Sequence, residues 1–510
     1  MQPRFFKATM KGGLFLATLA ALLLASVAGA QPTNFAKSPP ELRAQLEAHL
    51  NQPRFSGALW GAKVASLDTG RILYESHADR LMSPASNSKL YAGALALDLL
   101  GGDYRFATPI LATAKAGRNG IVHGDLIVSG RGDPSWRNTN FWDNFAPFVA
   151  VLTNAGVRGI TGDLVADTTF FHGPPAGGGW CADDLEDSEG AEISALTLLD
   201  NLAQIRVAHG TNISSQCPLT LSPPDTGMVL VNRTTTIPSG GKVHLEIRKL
   251  PGTKTIYVFG EMPVDGADEI LNVPVPQPAA WFGAALKTAL AKNGIAIKGK
   301  VRCVAWPEIA PWNETNLVKL GEVKSPPLRE LVRAFMKPSQ NLETDLVFDH
   351  TGEGLRATNT PVWKTSEDLA IAALDTFLAT NGVPADVHFD EGSGLSRNNL
   401  TSANATVALL TLMTTNRWAK DFFDALPIAG VDGTIRRRMK NTPAFQNVHA
   451  KTGTLRWVNA LSGYVTTAAG EKLVFSLMLN RYDPPPNRKR TDELDDIAVL
   501  LAGFTGHSNE

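Results

Sequence analysis

Cysteine is scarce in this chain: Cys181, Cys217 and Cys303 are the only three in 510 residues. So low a number excludes a disulfide-built scaffold, and the lack of any C-x-x-C pair excludes the usual structural zinc site. At most one bridge can form, and in an oxidising compartment Cys181 and Cys217 are the candidates. Excess charge of either sign is also lacking, with 48 Lys and Arg against 49 Asp and Glu. No global field therefore draws the chain to nucleic acid or to an anionic membrane surface. Beyond residue 30, no uncharged apolar run reaches the roughly 20 residues that span a bilayer. What is present is ordinary globular composition, 44% hydrophobic and 19% charged, at a length that suits two to four domains.

The N-terminus is the exception. Arg4, Lys7 and Lys11 precede an apolar run from Leu14 to Val27 that exits through Ala28-Gly29-Ala30. This is the pattern of a secretory signal peptide cleaved after Ala30. The expectation is an exported, periplasmic, soluble chain without a transmembrane anchor. Its mature form carries 45 basic and 49 acidic side chains, a net charge of −4.

Periodicity then organises the rest. A helix is expected around Glu41 to Asn51, then a hairpin of Leu59 to Leu67 and Arg71 to Glu75 turning at Asp68-Thr69-Gly70. An Ala/Leu helix from Lys89 to Leu100 stops at Gly101-Gly102. From about Asp103 to Leu317 short strands and Gly, Pro and Asp turns take over, which reads as inserted β-rich material. Helical spacing returns after Ser325, taken as N-cap with Pro326 at the first helical position, and again after Pro338. A second hairpin, Ala460 to Thr466 with Lys472 to Leu479, precedes a terminal amphipathic helix from Thr491 to Phe504. The two ends are pieces of one α/β domain, and the insertion has its own core.

Three short motifs follow one another: Ser86-Asn87-Ser88-Lys89, Ser339-Gln340-Asn341 and Lys451-Thr452-Gly453. S-x-x-K, S-x-N and K-T-G together mark penicillin-binding proteins and class A β-lactamases. On a helix, residues at i and i+3 share a face, so Lys89 can sit beside the Ser86 hydroxyl. A hydroxyl is a weak nucleophile at pH 7, and a lysine made neutral by burial and by a second positive charge, from Lys451, can take its proton. Singly the motifs mean little. Ser239-Gly240-Gly241-Lys242 also reads S-x-x-K in a Gly-rich turn, and Ser396-Arg397-Asn398 also reads S-x-N. Context selects among them: one S-x-x-K opens a helix, one S-x-N joins two helical stretches, and the K-T-G starts a strand. His449 beside that strand is read as a packing residue.

Four segments, Pro84 to Lys89, Asp390 to Arg397, Leu426 to Thr434 and His449 to Leu455, closely resemble the D-alanyl-D-alanine carboxypeptidase/endopeptidase family, the low-molecular-mass class C penicillin-binding proteins. Gly130 to Pro134, Gly162 to Leu164, Trp180 to Leu185 and Ile193 to Leu196 extend the resemblance into the insertion. It implies an α/β (α+β) penicilloyl-serine transferase, β-lactamase-like domain, an antiparallel sheet flanked by helices, with two nested β-rich inserted domains. The implied boundaries are 31–105 and 317–510 for the catalytic domain, 106–132 with 201–316 for one insert, and 133–200 for the other.

The same resemblance implies a serine peptidase that needs no metal or cofactor and that β-lactam antibiotics acylate. Its substrates would be peptidoglycan stem peptides ending in D-Ala-D-Ala and containing diaminopimelate. Ser86 would be the nucleophile and Lys89 its base; Ser339 would relay a proton, Asn341 bind the substrate backbone, and Lys451 supply charge. Thr452, Gly453 and Thr454 would line the site of the terminal carboxylate, with the N–H groups of Ser86 and Thr454 as oxyanion hole. Asp184 would reach from the insertion to the diaminopimelate ammonium, near Arg397. Two positions depart from the pattern: Glu189, where many relatives carry an aromatic residue, and Arg456, where a polar amide is found. The competing readings are a serine β-lactamase and a non-catalytic peptidoglycan-binding protein. The first needs a group that activates water on the acyl-enzyme, and no Glu stands in the expected short stretch after Ser86. Against the second, Ser86, Lys89, Ser339 and Lys451 are intact.

Overall fold

The computed structural model describes residues 34–250 and 252–510, so the apolar run from Leu14 to Val27 and the signal-peptide reading lie outside the described residues. Among the described residues no helix is long and apolar enough to cross a membrane.

The two ends of the chain build one antiparallel five-stranded sheet in the order His449–Leu455, Val458–Thr466, Lys472–Asn480, Leu59–Ser66, Ile72–Ser76. The two hairpins fall where turn chemistry places them; Gly70, at φ 72°, takes the left-handed corner of the first. The sheet is covered on both faces, so its central strands are almost wholly buried rather than alternating. One face packs on the helices Ser88–Leu99, Leu328–Met336, Asn341–Glu353, Ser366–Thr380 and Ala403–Thr415. The other packs on Pro39–Leu50 and Asp492–Gly503. In the first turn of the second of these helices the buried Glu493 accepts hydrogen bonds from Arg54 Nη2 (2.6 Å), Arg488 Nε (2.8 Å) and Tyr482 Oη (2.7 Å), tying the N-terminal segment to the C-terminal helix.

The insertion leaves this body through a narrow neck. Ser325 N donates to Phe106 O (3.0 Å) and Phe106 N to Ser325 Oγ (2.9 Å), and the strands Ala107–Ala112 and Val318–Lys324 depart side by side. This corrects the helix start expected at Ser325. Its hydroxyl serves the neck, and the helix begins at Leu328 after Pro327, because Pro327 bars Pro326 from helical backbone.

Within the insertion the strands Val301–Val304, Leu164–Asp167, Leu126–Ser129, Ala107–Ala112 and Val318–Lys324 form a mixed sheet in that order. Segment 133–200 thus supplies a strand, Leu164–Asp167, paired on both sides by strands from the flanking segments. Three further three-stranded sheets complete the β-rich part. Two helices, Ala146–Asn154 and Pro278–Lys292, also stand there against the expectation of strands, closing an aromatic core of Trp136, Phe141, Phe145, Phe148, Trp281 and Phe282. All three cysteines are free, so the candidate Cys181–Cys217 bridge is not formed.

One stretch of the insertion folds back onto the helices Asn341–Glu353 and Ser366–Thr380. His172 and Ser366 are joined by His172 N to Ser366 Oγ (2.8 Å) and Ser366 N to His172 O (2.7 Å), and Gly178 N donates to Glu367 Oε1 (3.1 Å). Arg137 is paired with Glu343. These contacts set residues 183–190 over the start of the helix Asn341–Glu353.

Candidate active site

Ser86 stands in the single turn Ala85–Asn87 that runs directly into the helix Ser88–Leu99, as the S-x-x-K spacing requires. Ala85 holds φ 46°, a left-handed backbone costing of order 1–3 kcal/mol and sustained only by firm surroundings. Two glycines supply them. A Cβ on Gly453 would meet Pro84 O at 2.2 Å, and one on Gly394 would meet Ala85 O at 2.0 Å. The K-T-G strand and the Ser393-Gly394 loop therefore press on the Ala85–Asn87 turn at backbone contact distance.

Lys89 is fully buried, and its Nζ donates to Ser86 Oγ (3.0 Å), Asn341 Oδ1 (2.6 Å) and Ser393 O (2.6 Å). Burial pulls its pKa down to about 8, while Asp345, Glu391 and Glu189 push it back up. Ser339, at φ 73°, forms the link between Leu328–Met336 and Asn341–Glu353, and its Oγ accepts from Lys451 Nζ at 2.7 Å. Lys451 is third in its strand rather than first, and it also donates to Thr452 O (2.9 Å). Burial and then the charge of Lys89 hold its pKa well below the usual lysine value. The repulsion between two lysines, expected to act on Lys89, is thus felt at Lys451. An incoming substrate carboxylate would favour the charged form of Lys451 again.

Ser86, Ser339, Asn341, Thr452 and Thr454 line one cleft of about 390 Å³, with Glu189, Gly394, Leu395, Thr434 and Arg438. Lys89 and Lys451 join it through their hydrogen bonds to Ser86 and Ser339, and Gly453 lies between Thr452 and Thr454 on the strand. Thr434 Oγ1 lies 2.7 Å from Thr452 Oγ1, and Lys337, salt-bridged to Asp432 at 2.7 Å, fixes that loop beside Ser339. Two of the expected residues are not in this lining. Asp184 is turned back on its own loop, its Oδ2 accepting from Cys181 N at 2.7 Å. Arg397 is exposed.

The acidic residue that does face the cleft is Glu189. Asn341 Nδ2 donates to its backbone oxygen (3.1 Å) and to its Oε2 (3.0 Å). Sequence reasoning noted this position only as a departure from the family. It also passed over Glu391, a fully buried carboxylate that accepts from Ser393 N (2.8 Å), Gly394 N (2.8 Å) and Asn399 Nδ2 (2.9 Å). That fan of donors shapes the loop presenting Ser393 O to Lys89. The one sequence signal for it is an acid directly before Gly-Ser-Gly, where backbone N–H groups converge.

The arrangement is that of an activated serine nucleophile: a hydroxyl, a buried amine of depressed pKa and backbone donors at a helix start. Residues 42–500 match the D-Ala-D-Ala carboxypeptidase 3 (S13) family. The D-alanyl-D-alanine carboxypeptidase of Actinomadura sp. strain R39 is 34% identical over 504 residues, covering 95% of this chain and 87% of that protein. The D-alanyl-D-alanine carboxypeptidase DacB of Haemophilus influenzae is 27% identical over 447 residues, 85% of this chain and 88% of its own. The crystal structure of penicillin binding protein 4 (dacB) from Haemophilus influenzae superposes with a TM-score of 0.75 at 25% identity, covering 90% of this chain and 98% of that one. Its complex with a novel β-lactam gives a TM-score of 0.72. The fold is accordingly the penicilloyl-serine transferase fold, and the chain belongs to the D-Ala-D-Ala carboxypeptidase 3 (S13) family of serine hydrolases.

Proposed function

We propose that the enzyme is a serine D-Ala-D-Ala carboxypeptidase and/or D,D-endopeptidase that works through an acyl-enzyme on Ser86 and is inhibited by penicillins. The neutral amine of Lys89 takes the Ser86 proton as Oγ attacks the carbonyl carbon of the D-Ala-D-Ala bond. The N–H groups of Ser86 and Thr454 receive the developing oxyanion. The proton passes through Ser339, beside Lys451, to the departing amine of the terminal D-Ala. Asn341 holds the substrate backbone, and Thr452 and Thr454 hold the terminal carboxylate. The observation that carries this reading is the 3.0 Å contact of a buried Lys89 Nζ with Ser86 Oγ.

The substrates are peptidoglycan stem peptides. A diaminopimelate residue in them is supported by the family resemblance and by the acidic stretch 183–189 over the start of the helix Asn341–Glu353; Asp184 would have to release Cys181 N to reach its ammonium. Residues 31–105 and 317–510 form the proposed catalytic domain around the insertion. Export to the periplasm after cleavage at Ala30 is part of the same proposal, and the N-terminal sequence of the secreted protein checks it.

The test of the nucleophile is covalent. A labelled penicillin should acylate the protein at Ser86 and fail to label Ser86→Ala, and label retained or mapped to Ser239 would reject the assignment. Mass analysis of products from stem peptides with and without diaminopimelate reads out the substrate.

A further inference from the structure

Glu189 lines the cleft together with Ser86, and no step of the acylation chemistry above uses it. It sits in the turn Ser188–Gly190, folded so tightly that a Cβ on Gly190 would stand 2.1 Å from Asp184 O. That turn and the two hydrogen bonds from Asn341 Nδ2 fix the backbone and the carboxylate of Glu189 together. The other end of the same amide, Asn341 Oδ1, accepts from Lys89 Nζ at 2.6 Å, and Lys89 reaches Ser86 Oγ at 3.0 Å. A continuous polar chain therefore runs from the nucleophile through Lys89 and Asn341 to a carboxylate on the cleft wall. The residue as a whole is open to solvent at the cleft, while protein surrounds its carboxyl end. Burial raises its pKa and the charges of Lys89 and Lys451 lower it, which leaves a carboxylate of greater than ordinary basicity.

We propose that Glu189 is the general base that activates water for hydrolysis of the Ser86 acyl-enzyme. The inference rests on the acyl-enzyme reading above. Glu189 takes a proton from a water molecule as the water oxygen bonds to the acyl carbonyl carbon, and the carbonyl electron pair moves onto oxygen. When that pair returns, the bond to Ser86 Oγ breaks. The proton held by Glu189 is delivered to Ser86 Oγ, directly or through the Lys89 amine, and the carboxylic acid product leaves. One water is consumed, and Ser86, Lys89 and Glu189 end as they began. By the same step a penicillin adduct is hydrolysed, giving the enzyme a β-lactam-hydrolysing turnover of its own.

The experiment follows the mass of the intact protein. Wild type, Glu189→Gln, Glu189→Asp and Ser86→Ala are mixed with a penicillin, excess drug is removed, and loss of the adduct is timed. The adduct should form in all but Ser86→Ala. It should decay at least ~100-fold more slowly in Glu189→Gln, the low end for removing a general base, with part of the rate restored in Glu189→Asp. Decay of the Glu189→Gln adduct at the wild-type rate would overturn this inference alone. So would a Glu189→Gln protein that loses acylation and decay in equal measure, since that marks a positioning role. An adduct still formed by Ser86→Ala, or none formed by either wild type or Glu189→Gln, would instead overturn the acyl-enzyme reading and this inference with it.

Discussion

At the scale of single residues the active site is a problem of one proton among buried amines. In the proposed role Lys89 is neutral when it accepts the Ser86 proton, and burial brings its pKa to about 8 against the pull of Asp345, Glu391 and Glu189. Since the neutral amine is the form above the pKa, the acylation rate should rise as pH climbs through about 8 and level off beyond it. Stopped-flow acylation by a chromogenic β-lactam between pH 6 and 10 measures this. Lys89→Arg keeps a cation but has no usable deprotonated form. Its acylation should fall by at least ~100-fold, and the rise with pH should vanish. A near-normal rate in that variant would place the base elsewhere.

At the scale of elements, the catalytic geometry is a matter of how closely a strand and a loop approach one turn. Gly453 is required not for a left-handed backbone but for space, since its added Cβ would meet Pro84 O at 2.2 Å and Ala85 Cβ at 3.2 Å. Neither neighbour is the far end of a flexible side chain, so Gly453→Ala must push the K-T-G strand off the Ala85–Asn87 turn. A displacement of about 1 Å in such a site costs on the order of 10²-fold in rate. Gly453→Ala should therefore lose about 100-fold in acylation while its far-UV circular dichroism stays that of wild type. Acylation within threefold of wild type would show that the approach is looser than the contact distances indicate.

At the scale of the whole molecule, two closures make one body from distant chain segments: the neck at Phe106 and Ser325, and the buried carboxylate of Glu493. Arg54 and Arg488 both converge on Glu493, which is 0% exposed, whereas they keep 23% and 24% of their side-chain exposure. Removing the acid leaves two cations that water can partly reach, so the loss falls at the low end for a broken buried pair. Glu493→Ala should cost roughly 3 kcal/mol in unfolding by denaturant, with Ser86 acylation retained in the protein that remains folded. A change below about 0.5 kcal/mol, the ordinary range for surface sites, would mean that the network only decorates the surface.

Much was legible from order along the chain. The hairpins Leu59–Ser66 with Ile72–Ser76 and Val458–Thr466 with Lys472–Asn480 are local structures whose turn residues and patterning lie in a few neighbouring positions. The Ser86–Lys89 contact is local too, because helical spacing alone brings i and i+3 together. The helices Ala146–Asn154 and Pro278–Lys292 were not legible. They sit among Gly and Pro turns, and what stabilises them is the aromatic cluster they bury, a tertiary property. Ser325 misled because its hydroxyl had a better use across the neck than at a helix start.

The sequence by itself named the candidates that the fold brings together, Ser86, Lys89, Ser339, Asn341 and Lys451, because three short motifs single them out. Only the tertiary structure decided which acid joins them. Asp184 and Glu189 stand five positions apart in one acidic run, equal in charge and nearly equal in reach. The tight turn at Ser188–Gly190 and the docking of residues 172–178 on the helix Ser366–Thr380 aim Glu189 at Asn341 and turn Asp184 back on Cys181. The direction of Glu189 depends on a partner 152 positions away in sequence, which no local pattern encodes.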